Sequence, residues 1–183
     1  MRIKTIADAR DFVRATKICT IFPSDKTDLT SLYEHVDLPE KQPGETGWGQ
    51  RMEAVWAWKN RLPSDCPDEV YYGKIKGGFA VLMDLSYLSE KHFPAAHRPV
   101  ESLSALAQQV FERVRVEPWS TTDLRKDIID ETGCSKSRFD TALKSLQISL
   151  NVVREPNATQ DTWLAFREVY PAIWSRHVRD EEL

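Results

Sequence analysis

The chain has 183 residues, 41% hydrophobic and 29% charged, with six tryptophans. That balance excludes a disordered chain and suffices for one sizeable domain or two small ones sharing an interface. The net charge of −3 excludes a uniformly basic nucleic-acid binder, so any such affinity has to come from a local cationic face.

Residues 5–17 place Ile6, Ala9, Phe12 and Val13 at helical spacing, with Asp8, Arg10, Asp11, Arg14 and Lys17 on the other face. A short apolar stretch, 18–22, ends at Pro23, and residues 25–28 read as a polar turn. Residues 31–36 form a short predicted helix. Pro39, Pro43, Gly44, Gly47 and Gly49 make 38–49 a loop. Residues 51–61 are a strong helix, with Met52, Val55, Trp56 and Lys59 along one side and Pro63 as its stop. Two strand-like runs, 70–75 and 79–83, are joined by Lys76-Gly77-Gly78 as a hairpin. A helix over 85–92 precedes a loop around Pro94 and Pro99, the expected boundary between two halves.

The second half opens with an amphipathic helix over 103–116, inward at Leu103, Leu106, Ala107, Val110 and Val114 and ended by Pro118. Ser120 or Thr121 caps the next helix, which runs to about Glu131 with Leu124, Ile128 and Ile129 inward and Asp123 in its first turn. Gly133 marks a tight turn, and Ser135 caps a third helix from Lys136 to about Gln147, burying Phe139, Ala142, Leu143 and Leu146. Strands are expected over 148–154 and 162–166, around a polar tip at 155–161 that holds Pro156 and Asn157. Pro171 fits the first turn of a last helix with Ile173 and Trp174. Helix, helix, tight turn, helix and two-stranded wing is the order of a winged helix-turn-helix.

In such a fold the third helix enters the major groove. Its exposed positions here are Lys136, Ser137, Arg138, Thr141 and Lys144, side chains able to meet phosphates or base edges. Arg125 and Lys126 on the preceding helix and Arg154 at the start of the wing are candidates for backbone phosphates. Asp123, Asp127, Asp130, Glu131 and Asp140 lie among them. Between Ser102 and Arg154, eight Lys or Arg face seven Asp or Glu, so a merely solvated or protein-binding face is the competing interpretation.

Catalytic and metal sites are not apparent. His35, His92, His97 and His177 lack ligand spacing and read as solvated or core residues; Cys19, Cys66 and Cys134 read as reduced thiols. No phosphate loop or nucleophile elbow is present, and no cofactor is expected. Trp48, Trp56, Trp58, Tyr71 and Tyr72 are assigned to core filling, with a stacking platform for a base as the alternative. No apolar run reaches membrane-spanning length and the charged N-terminus does not resemble a secretory signal, so a cytoplasmic protein without membrane contact is expected.

Several segments resemble one family. The helix over 7–16, Ile21-Phe22-Pro23, Ser31-Leu32, Val55-Trp56-Ala57-Trp58-Lys59 with Leu62-Pro63, Val70-Tyr71-Tyr72-Gly73-Lys74 and the stretch 120–166 are similar, in that order, to the AlkZ-related proteins, relatives of winged-helix DNA glycosylases that remove alkylated or crosslinked bases. The resemblance implies an α+β, mostly α, fold of tandem winged-helix units with short two-stranded β-hairpins. Residues 1–98 would form an N-terminal α+β unit and residues 99–183 a winged-helix unit with a C-terminal helix.

The glycosylases of that group use a Gln-x-Gln or Gln-x-Asp pair near the end of the first helical unit, where this chain has Ile18-Cys19-Thr20-Ile21-Phe22-Pro23. None of Gln42, Gln50, Gln108, Gln109, Gln147 and Gln160 has Gln or Asp two residues on. The expected function is therefore non-catalytic binding of double-stranded DNA. Two alternatives stand beside it. One is a diverged glycosylase with a water held by Asp25, Asp28 or Glu34. The other is a protein-interaction module or homodimer built on Tyr170, Ile173 and Trp174.

Overall fold

Local sequence decides where the first helix begins. The Thr5 hydroxyl accepts the Asp8 N–H at 3.2 Å while the Asp8 carboxylate accepts the Thr5 N–H at 3.0 Å, a reciprocal cap that satisfies two otherwise orphaned donors. In the computed structural model, which describes residues 2–156 and 160–178, this cap opens α1 (Ile6–Thr16). β1 (Ile18–Thr20), α2 (Leu32–His35), α3 (Gln50–Asp65), β2 (Val70–Lys74) and β3 (Ala80–Asp84) follow. β1 runs antiparallel to β3, pairing Ile18 with Met83 and Thr20 with Val81, so the sheet order is β1-β3-β2. Ala9, Phe12 and Val13 of α1 bury against Cys19, Leu32, Val55, Leu62 and Leu82.

Two expectations for this half change. Pro63 does not stop its helix but lies inside the last turn of α3. A proline there forfeits one N–H bond, and two further residues still fit before Cys66 N–H closes on the Leu62 carbonyl at 2.9 Å. The buried side of α3 is Val55, Trp58, Lys59 and Leu62, the i, i+3, i+4, i+7 stripe, with Trp56 outside it.

After β3 the chain continues through α4 (Leu85–Tyr87), a π-helical turn at Leu88–His92 and α5 (Phe93–Ala96), so helix extends past Pro94. A 3₁₀ turn at Val100–Ser102 leads into α6 (Ala105–Val114), β4 (Trp119–Ser120), α7 (Thr121–Thr132), α8 (Lys136–Ile148), β5 (Val152–Arg154), β6 (Thr162–Ala165), α9 (Phe166–Val169) and α10 (Pro171–His177). Ser120 is the cap of α7, accepting the Asp123 N–H at 3.1 Å. Ala107, Val110, Leu124, Ile128, Phe139 and Leu146 form one buried cluster under this part of the chain. The second sheet has the order β4-β6-β5, with Trp119 opposite Trp163 and Val152 opposite Ala165.

The class is α+β with two small antiparallel three-stranded sheets. The expected two-stranded hairpins thus each gain a third strand. β1 and β4 are three and two residues long, too short for alternation to reveal. The strand expected from Ile148 starts only at Val152, because α8 continues through Ile148. Asn157, placed on the polar tip, lies outside the described residues.

By its internal contacts the chain divides into two units. One comprises the chain up to Tyr72 with Phe79–Leu88; the other comprises Gly73–Gly78 with the chain from Ser89 onward. No described helix is long and apolar enough to cross a membrane.

Candidate nucleic-acid interface

The site begins with a turn. Gly133 ends α7 at φ 68°, ψ 13°, a left-handed conformation in which its N–H reaches the Ile129 carbonyl at 2.9 Å. A Cβ would resist that backbone, which is why glycine stands there. Ser135 then accepts the Arg138 N–H at 3.3 Å and starts α8. Three residues thus connect α7 to α8.

α8 is anchored from below. Phe139 is fully buried, and Ala142, Leu143 and Leu146 continue its stripe. Burial of a ring this size contributes roughly 1.5–3 kcal/mol and fixes which side of the helix faces water. Lys136, Ser137, Arg138, Asp140, Thr141 and Lys144 are all exposed. Thr141 donates its hydroxyl to the Ser137 carbonyl at 2.9 Å.

The predicted phosphate contacts are placed differently. Arg125 is half-buried and donates to Asp140 at 3.0 Å, its guanidinium carbon 5.6 Å from the Phe139 ring centre. Lys126 pairs with Asp130 at 2.6 Å, which raises its pKa through hydrogen bonding and charge attraction. Arg154 lies 2.6 Å from Asp161 and is largely covered. Lys136, Arg138 and Lys144 make no ion pair among the described residues. The eight residues therefore separate into a solvent-facing group on α8 and three cations held by acids.

The α8 group has further neighbours that are remote in sequence. A Cβ at Gly78 would lie 3.5 Å from Cδ of Lys144, so the tip Gly73–Gly78, which groups with the second unit, lies beside α8. That tip carries Lys74, half-buried, and Lys76, exposed, with no ion pair among the described residues. Nothing in linear spacing joins residues 76 and 144.

The aromatic residues divide as well. Trp58 and Tyr71 fill core as expected, but Trp48 and Trp56 are 54% and 44% exposed, which corrects their assignment to the interior. Asp25, Asp28 and Glu34 line one cleft of about 430 Å³ with Pro23, Ser24, Thr27 and Leu29. Tyr170 and Ile173 are buried, and Trp174 packs edge-on against Phe93 and His97. Among the described residues no group of three or more His, Cys, Asp or Glu is placed to hold a metal ion.

These features define a small α+β protein that turns a capped, cation-bearing helix to solvent above a buried aromatic anchor. A family model described as AlkZ related matches residues 3–161, and the chain belongs to that family. Membership relates it to the DNA glycosylases. No curated protein and no solved structure matches the chain.

Proposed function

We propose that this protein binds double-stranded DNA without glycosylase chemistry. In this reading residues 99–183 hold a winged helix: α6 and α7 support α8, and β5 with β6 form the wing. Residues 1–98 are a second, diverged unit of the same tandem. Lys136, Ser137, Arg138, Thr141 and Lys144 meet phosphates and base edges at the major groove, while Arg125, Lys126 and Arg154 meet further phosphates once released from their acids. The protein works in the cytoplasm.

One observation carries the reading. α8 has no acidic residue in its first turn and instead opens with Lys136 and Arg138. The positive end of a helix dipole disfavours cations by roughly 0.3–1 kcal/mol each. Two of them, exposed and without an ion pair among the described residues, oppose local stability, as functional positions commonly do. An incoming phosphate would reverse that sign, since helix N-termini favour anions.

The test is titration of labelled duplex DNA at low and moderate salt. Affinity should fall steeply with salt, and Lys136→Ala/Arg138→Ala should weaken it and reduce the slope by about two, one per lost phosphate contact. Absence of duplex binding by the parent protein at low salt rejects the reading.

The cleft lined by Asp25, Asp28 and Glu34 favours a second reading, a diverged glycosylase whose acids activate a water. It predicts abasic-site release from alkylated duplex that Asp25→Asn/Asp28→Asn abolishes. No release above blank removes it.

A further inference from the structure

We infer that Trp48 and Trp56 form a stacking platform for an unpaired, uncharged nucleobase of single-stranded or locally opened DNA. This rests on the DNA-binding reading and adds to it a second, sequence-tolerant contact of different chemistry.

The platform is built by the fold. The segment 38–51 closes on itself through Arg51 N–H to the Pro39 carbonyl and Arg51 Nε to the Leu38 carbonyl, both 3.1 Å. Gly49 lies so close to Lys41 that a Cβ there would stand 2.8 Å from the Lys41 Cα, so no other residue closes the loop without moving backbone. The closed loop delivers Trp48 to Trp56 on α3, ring centres 5.5 Å apart and planes at 73°. Both indoles nevertheless remain about half in water.

Behind them sits a buried cation. Lys59 is 8% exposed, and its ammonium lies 4.0 Å from the Trp56 ring centre and 5.3 Å from that of Tyr72. This attraction holds the Trp56 indole in place and already uses its negative quadrupole. A second cation on that ring is disfavoured, so the platform selects neutral bases over cationic alkylated ones.

Size and charge choose the occupant. Apart from Val116, Trp48 and Trp56 are the exposed large hydrophobic residues among those described. Two half-exposed indoles offer on the order of 200 Å², whereas a stable protein interface needs about 800 Å² per partner. The area matches a planar ring. Over residues 40–59, the stretch that carries both indoles, Lys41, Arg51 and Lys59 equal Glu40, Glu45 and Glu53 in number, so this contact is expected to contribute stacking and little phosphate attraction, unlike the α8 face.

The test uses the full chain, labelled oligothymidine of about 15 nucleotides, and a blunt duplex of equal length. Trp48→Ala should weaken single-strand binding about tenfold, as loss of one stacked base does. Its salt slope should not change, duplex affinity should hold, and Trp48→Phe should restore most of the loss. Trp48 is exposed, so the variants are expected to fold; circular dichroism checks this. Lys136→Ala/Arg138→Ala should act on the duplex. If that reading fails while single-strand binding still depends on Trp48, the platform stands alone. Three results overturn it: no single-strand binding by the parent protein, equal binding by Trp48→Ala, or self-association that Trp48→Ala abolishes, which would assign the indoles to a second copy of the chain.

Discussion

The Arg125 guanidinium donates to the Asp140 carboxylate at 3.0 Å, joining α7 to the solvent face of α8. Asp140 thereby both holds a cation back and places a negative charge among Lys136, Arg138 and Lys144. Asp140→Asn should raise duplex affinity several-fold at low salt. Because the pair is partly exposed, loss of the bridge should cost no more than about 1 kcal/mol of stability. Parallel DNA titration and urea denaturation measure the two effects; unchanged or weaker DNA binding would argue against the α8 face as the contact.

Lys136→Ala/Arg138→Ala should separate stability from function. Removing both cations from the positive end of α8 should leave the stability read by urea denaturation unchanged or higher, by up to about 2 kcal/mol. Ser135→Ala, which removes the cap seen between Ser135 Oγ and Arg138 N, should cost about 1 kcal/mol. Opposite signs at adjacent positions would show that the cations are retained against the interest of the helix.

The hairpin tip offers an independent check. If Lys74 and Lys76 lie beside Lys144 on one cationic surface, Lys74→Glu/Lys76→Glu should lower duplex affinity and flatten its salt dependence. A variant that binds like the parent confines the interface to α8.

Stability should fall on acidification through two histidines. Burial lowers the pKa of His92 below its ordinary 6.5. Burial also lowers that of His97, reinforced by the Arg98 charge and partly opposed by the Ser149 carbonyl. His97 stacks on Phe93 at 4.7 Å with planes 8° apart and meets the Ser149 carbonyl at 3.1 Å. Below pH 6.5 the unfolded chain holds more protons at these sites than the folded one, so unfolding takes up protons. Their stabilising contribution is complete above 6.5 and declines as the pH falls toward the folded values. Urea midpoints at about pH 8 and about pH 5 should differ in that direction, and His97→Gln should reduce the difference.

Thiol chemistry should report the interior of the first unit. Burial pushes the Cys19 thiol up to about 12 and leaves it fully covered, so it should resist maleimide until the chain unfolds. The half-buried Cys66 should react first. Prompt labelling of Cys19 in the native protein would contradict its place opposite Leu82.

Much of the architecture was legible wherever one rule acted over a few residues. Gly133 and Ser135 announced the turn and cap before α8 because a left-handed backbone and an orphaned N–H have local solutions. The stripe Phe139, Ala142, Leu143, Leu146 announced the buried side of α8 by period alone. β1 and β4 were invisible, since two or three residues carry no alternation and each exists only through its pairing with β3 or β6. Trp56 looks like core in the sequence because a tryptophan in a helical window is apolar from any angle; the stripe through Val55 and Trp58 leaves it outside.

By itself the sequence determined the order of the longer helices and of four of the strands, the cap chemistry before α7 and α8, the missing glutamine pair and the likeness to the AlkZ-related family. Only the tertiary structure decided which cations are held by acids, that the Gly73–Gly78 tip reaches Lys144, that Asp25, Asp28 and Glu34 share a cleft, and that Trp48 meets Trp56 in water. The division has one physical cause. Caps and periods are settled within a turn of chain, whereas ion pairs, ring contacts and clefts depend on which distant residues packing brings together.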